Sequence, residues 1–118
     1  MQFHFEQLTV WQEAIELVTV IYEVTKPFPQ DELFGITRQM RRAAVSIPAN
    51  IAEGKGRYNK KEFVQFLYTA RGSLYEVVTL LKLAAKLKYL SEEQHRQFVP
   101  LVEVILSKLS GLINSLKQ

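Results

Sequence analysis

Apolar positions recur along almost the whole chain at alternating spacings of four and three, a rhythm that predicts four long helices and no strand. Val10, Ala14, Leu17, Ile21 and Val24 draw one seam along a first helix that begins near Thr9 and ends before Pro27-Phe28-Pro29. Thr9 is expected to cap it, with Gln12 reaching back to complete the box. A second seam, Trp11, Ile15, Val18 and Tyr22, runs beside the first. Together they cover about half the circumference, wider than the stripe of about 100° that one core requires. The extra width predicts a second buried surface.

A second helix is expected from Leu33 to Glu53, with Ile36, Met40, Ala43, Ile47 and Ile51 facing the core. Pro48 falls inside it, where proline removes the hydrogen bond to the carbonyl of Ala44 and crowds that carbonyl, at about 3 kcal/mol in an ordinary helix interior. A kink over Ala44 to Pro48 follows. Ser46 can bond backwards to a carbonyl and Asn50 can satisfy a freed group, so these flanking polar residues have a structural reading beside that of a ligand site.

After Gly54-Lys55-Gly56-Arg57, Asn59 and Glu62 form the start signal of a third helix. Phe63, Leu67, Ala70, Leu74, Val77, Leu81 and Ala84 then keep an unbroken heptad rhythm, the seam of a helix packed lengthwise on near-parallel neighbours. Ser91 and Gln94 open a fourth helix that places Phe98, Val102, Ile105, Leu109, Leu112 and Leu116 on one face, and Pro100 is expected to bend or restart it. The fold class is all-α: a single domain over residues 1–118, an antiparallel up-down-up-down four-helix bundle with its second helix kinked at Pro48.

Composition narrows the setting. The chain has no cysteine, which removes disulfides, thiolate nucleophiles and cysteine metal sites and suits a reducing compartment. Met1 to Leu8 has no basic start before an apolar core, so no secretory signal is read there. Lys82, Lys86 and Glu103 interrupt the longest apolar stretches before the roughly 20 residues of a membrane span. A cytoplasmic protein with no membrane partner is expected.

Catalytic chemistry finds few residues to work with. A di-iron bundle needs two Glu-x-x-His pairs and two further glutamates, whereas this chain offers only Glu92 with His95, in the first turn of helix four, and an unpartnered His4. Gly54-x-Gly56 lacks the strand and the Lys-Ser/Thr ending of a phosphate loop, and no nucleophile elbow surrounds any serine. Glu53 and Glu76 can be read as a carboxylate pair or as two ordinary solvated glutamates. No catalytic residue, metal, cofactor or small-molecule substrate is expected.

Charge is more telling. Between Arg38 and Lys61, seven cations (Arg38, Arg41, Arg42, Lys55, Arg57, Lys60 and Lys61) stand against the single acid Glu53, a net of +6, so the remainder of a chain of net charge +3 carries −3. Arg38, Arg41 and Arg42 are expected to share the face of helix two opposite its core seam, where guanidinium forks can grip phosphates or stand solvated and ion-paired. On helix three, Lys61, Tyr68, Arg71, Tyr75, Lys82 and Lys86 project to one side. Rings interleaved with cations suit single-stranded nucleic acid. They suit a protein interface too, and the surplus seam of Trp11, Ile15, Val18 and Tyr22 favours subunit contact for Tyr68 and Tyr75.

Ser46-Ile47-Pro48-Ala49-Asn50-Ile51-Ala52-Glu53-Gly54, followed by Gly56-Arg57, resembles the four-helix-bundle proteins encoded by intervening sequences within bacterial large-subunit (23S) ribosomal RNA genes. The likeness takes in Leu8, Trp11, Ala14 and Leu17, then Pro29, Gly35, Gln39, Arg42 and Ala43, and downstream Phe63, Phe66-Leu67, Ala70 and Gly72-Ser73-Leu74-Tyr75-Glu76. It covers most of the chain to about Tyr89, and helix four matches only as an amphipathic helix. The resemblance implies an up-down bundle that assembles into a homopentameric ring without established enzymatic activity. That group is in turn similar to accessory proteins of diversity-generating retroelements, basic pentameric barrels that bind nucleic acid and a reverse transcriptase. The expected function is a non-catalytic homo-oligomeric scaffold presenting basic surface to RNA or a ribonucleoprotein. The alternative is a protein-protein interaction module without nucleic-acid binding.

Overall fold

The four periodic segments fold as four α-helices: α1 (Thr9–Thr25), α2 (Arg38–Lys55), α3 (Lys60–Lys86) and α4 (Glu92–Lys117). The computed structural model describes residues 1–118. Each helix packs on the next, and α4 closes the bundle against α1. α3 has 27 residues, about 40 Å at 1.5 Å per residue, and sets the 43 Å long dimension of the molecule.

The seams meet at the centre. Ala14, Leu17 and Ile21 of α1, Met40, Ile47 and Ile51 of α2, Leu67, Leu74 and Val77 of α3, and Ile105 and Leu109 of α4 are fully buried in one contiguous cluster. On α4 the inner row is Phe98, Ile105, Leu109 and Ile113, while Val102, Leu112 and Leu116 are half-buried at its edge. The expected row is thus rotated slightly toward Ile113.

Helix boundaries follow local chemistry where the local chemistry is self-contained. The Ser91 side chain accepts from the Gln94 amide at 3.0 Å while Gln94 accepts from the Ser91 amide at 2.9 Å, the reciprocal box expected for α4. Asn59 Oδ1 accepts from the Glu62 amide at 2.8 Å, although the return bond from Glu62 is not made. α3 ends on Lys88 at φ 66°, with the Tyr89 amide donating back to Ala84 at 2.9 Å and the Lys88 amide to Ala85 at 3.1 Å, a Schellman closure that usually falls to glycine.

Three expectations are corrected. Thr9 does not cap α1: its hydroxyl accepts from Lys108 Nζ of α4 at 2.9 Å, and Gln12 Nε2 donates instead to the Glu6 carbonyl at 2.8 Å. Helix two starts at Arg38 rather than Leu33, because Gln30–Glu32 and Leu33–Thr37 form a tight turn and then a wide one, with Gly35 off the helical path. The α2 helix is continuous through buried Pro48, and α4 is continuous through Pro100, so it does not restart there. α4 is also long and apolar enough, by length and composition alone, to cross a membrane, which Glu103 was expected to prevent.

Candidate functional site

On α2, positions 38, 42 and 46 stack one turn apart on a single stripe, and position 41 lies about 100° away, on the side that faces α1. The three arginines therefore do not act together. Arg41 is half-buried, its Nε donates to Thr25 Oγ1 at 2.9 Å, and its guanidinium lies 4.7 Å from the centre of the Tyr22 ring. Thr25 donates its own hydroxyl to the Ile21 carbonyl at 2.8 Å, so that hydroxyl both donates and accepts. Arg41 is a clasp between α1 and α2.

Arg38 and Arg42 instead border an open cleft between α2 and α3, about 640 Å³ in volume, together with Phe34, Gln39, Ser46, Ser73 and Glu76. Two of its lining residues, Ser46 and Ser73, belong to a hydrogen-bonded row. Asn50 Nδ2 donates to the Ser46 carbonyl at 2.8 Å and to Ser46 Oγ at 2.9 Å, and Ser46 Oγ meets Ser73 Oγ at 2.8 Å. Ser46 thus bonds across to α3 rather than backwards, and Asn50 serves Ser46 rather than the Ala44 carbonyl that Pro48 frees. Neither Arg38 nor Arg42 is in an ion pair, and Glu76 has only a long hydrogen bond from Gln39 Nε2 at 3.4 Å.

The other cations of the basic window sit at the turn between α2 and α3. Gly54 makes that turn possible, since a Cβ there would lie 2.6 Å from Cβ of Phe66 and 2.9 Å from the Phe63 ring. The close approach brings Arg57 over the Phe66 ring at 4.7 Å and Lys55 toward the Phe63 ring at 5.9 Å. Arg57 also pairs with Glu53 at 3.0 Å, so Glu53 and Glu76 take different partners and form no carboxylate dyad. Lys60 and Lys61 edge a second hollow of about 490 Å³ with Tyr68 and Lys117. There Lys117 Nζ donates to Tyr68 Oη at 3.1 Å, and Arg71 lies 5.2 Å from the Tyr68 ring while donating to Ser110 at 3.1 Å. No group of three or more His, Asp or Glu side chains stands close enough to hold a metal ion.

The six residues read as a contact surface divide into two sets. Trp11, Val18 and Tyr68 are half-buried against their own core, Trp11 under the edge of Phe5 at 5.3 Å. Ile15, Tyr22 and Tyr75 are exposed, the last at 53%. Leu83 and Leu87 of α3 and Val99 and Val104 of α4 are exposed as well.

Tyr89 ties the α3–α4 turn to the segment before α2. Its hydroxyl donates to Glu32 Oε2 at 2.9 Å, and its ring leans on Phe28 at 5.6 Å. That hydrogen bond, aided by burial and by the charges of Glu32 and Asp31, raises the phenol above its ordinary value.

Phe34 and Lys117 carried no signal in the sequence reading, because their roles arise only when distant segments meet. Gln39, Ser73 and Glu76 lay in the resembling blocks, yet only the fold puts them on one cleft. A crystal structure of a protein with unknown function from the S23 ribosomal protein family of Bacteroides thetaiotaomicron VPI-5482 superposes with a TM-score of 0.82 and 23% identity, over 90% of this chain and 96% of that one. It has the same fold. No curated protein matches the chain. A model of the 23S rRNA-intervening sequence protein matches residues 6–111, and the chain belongs to that family.

Proposed function

We propose that this chain is a non-catalytic cytoplasmic scaffold that assembles as a homopentamer and presents a basic surface to RNA or a ribonucleoprotein. The observation that carries the RNA reading is the basic window itself, seven cations against the single acid Glu53, of which only Arg57 is in an ion pair. Arg38, Arg42, Lys60 and Lys61 are exposed and available. Assembly is supported by the exposure of Ile15, Tyr22, Tyr75, Leu83, Leu87, Val99 and Val104, apolar side chains that contact with another copy would cover. Five is the number that the family resemblance implies.

The test is binding of single-stranded RNA across a salt series. Log affinity should fall linearly with log salt at about −0.7 per phosphate neutralised. Light scattering should give five times the 13.7 kDa of one chain. The second reading, a protein-interaction module without nucleic-acid binding, is favoured by the same apolar surface on α3 and α4. Absence of RNA binding at low salt, with the oligomer intact, would decide for it.

A further inference from the structure

The cleft between α2 and α3 holds charged groups of both signs, Arg38 and Arg42 on one wall and Glu76 on the other, without an ion pair among them. Opposite charges on facing walls that stay apart are set for a third party. Ser46 and Ser73 are engaged with each other and Ser46 with Asn50, so the groups of the cleft without a short partner are the two guanidinium forks and the Glu76 carboxylate with the Gln39 amide, which share only a 3.4 Å contact. At the rim stands Phe34, 81% exposed, a flat apolar ring with nothing on it.

Each of these groups matches a different part of one nucleotide. Guanidinium forks spaced one helical turn apart accept a phosphate. An exposed ring stacks a base. The long Gln39 to Glu76 contact, at 3.4 Å, puts an amide donor beside a carboxylate, and a carboxylate only accepts. Guanine alone among the four RNA bases offers two adjacent donors, N1–H and the exocyclic amine, beside a carbonyl that accepts from an amide. Adenine and cytosine set a lone pair next to their amine, and uracil flanks its single N–H with two carbonyls, so each meets repulsion at Glu76. A volume of about 640 Å³ falls inside the range of roughly 300–1,000 Å³ usual for ligand sites.

We propose that the α2–α3 cleft is a subsite for one guanine nucleotide of a single-stranded RNA, with Arg38 and Arg42 on its phosphate, Phe34 stacked on its base, and Glu76 with Gln39 reading its Watson–Crick edge. This rests on the RNA reading above and adds a base preference to it. Arg41, Lys60 and Lys61 lie off this cleft and take no part in the preference.

The experiment compares, by fluorescence anisotropy with the full chain, an oligouridylate of about eight nucleotides, the same strand with one central guanosine, and the same strand with inosine there. The guanosine strand should bind roughly ten-fold tighter than oligouridylate, the scale of one good bidentate base contact. Inosine, which lacks the exocyclic amine, should lose most of that gain. Glu76→Gln should erase the preference without weakening oligouridylate binding, because it removes the carboxylate that repels uracil, whereas Phe34→Ala should weaken all three strands because any base can stack there, with circular dichroism confirming the fold. Equal binding of all three strands by the wild-type protein, or a preference that survives Glu76→Gln, overturns the subsite and leaves the RNA reading standing. Binding of none of them defeats the RNA reading and the subsite with it.

Discussion

The guanidinium of Arg41 lies 4.7 Å from the centre of the Tyr22 ring while its Nε donates to Thr25, so a central cation of the basic window is spent joining α1 to α2. Arg38, three positions away, meets no acid and no ring. Arg41→Ala should cost about 1–2 kcal/mol, from the lost ring contact and the lost hydrogen bond to Thr25 Oγ1. Arg38→Ala should stay within about 0.5 kcal/mol of wild type, as surface changes do. Urea denaturation of the two variants measures both.

Two glycines on neighbouring helices should respond with opposite signs. A methyl group at Gly54 would press on Phe66 and Phe63, so Gly54→Ala should destabilise by about 1–3 kcal/mol. Gly72, inside α3, has nothing within 4 Å of an added Cβ, and Gly72→Ala should stabilise by about 0.5–1 kcal/mol. Thermal melting of the pair reads the difference directly.

Much of this architecture was legible in the sequence because it is written at short range. The heptad row of α3 from Phe63 to Ala84, the Ser91 box and the Asn59 acceptor depend on residues a few positions apart, and all are found where periodicity and capping rules put them. The errors have a common cause in distant partners. Thr9 was taken by Lys108, 99 positions away, and Arg41 was turned toward Thr25 by the packing of α1 on α2. The α2–α3 cleft joins Phe34, Arg42 and Glu76, which no spacing rule connects.

Lys88 closes α3 at φ 66°, where a side chain crowds the following carbonyl. Lys88→Gly should raise stability by up to about 1 kcal/mol, the relief of that crowding less the added freedom of glycine in the unfolded chain. Lys88→Val should lower it, since a branched side chain tolerates this backbone least. Denaturant midpoints of the two variants give the comparison.

Tyr89 predicts an alkaline effect of definite sign. Its folded-state value is raised by the Glu32 hydrogen bond, so the contact stabilises the fold fully below the ordinary tyrosine value of about 10 and is lost as pH rises through the folded one. The melting temperature should therefore fall above about pH 10 more steeply for wild type than for Tyr89→Phe. Spectrophotometric titration of the phenol, with Glu32→Gln as comparison, assigns the step.

The most direct trial of a basic surface open to RNA is the salt dependence of RNA binding by wild type and by the Arg38→Glu, Arg42→Glu double variant, each confirmed folded and in the same oligomer. The variant should bind at least about ten-fold more weakly at low salt, with a log–log slope shallower by about 1.4 for the two phosphate contacts removed. Equal affinity and an equal slope for the two proteins would contradict the account.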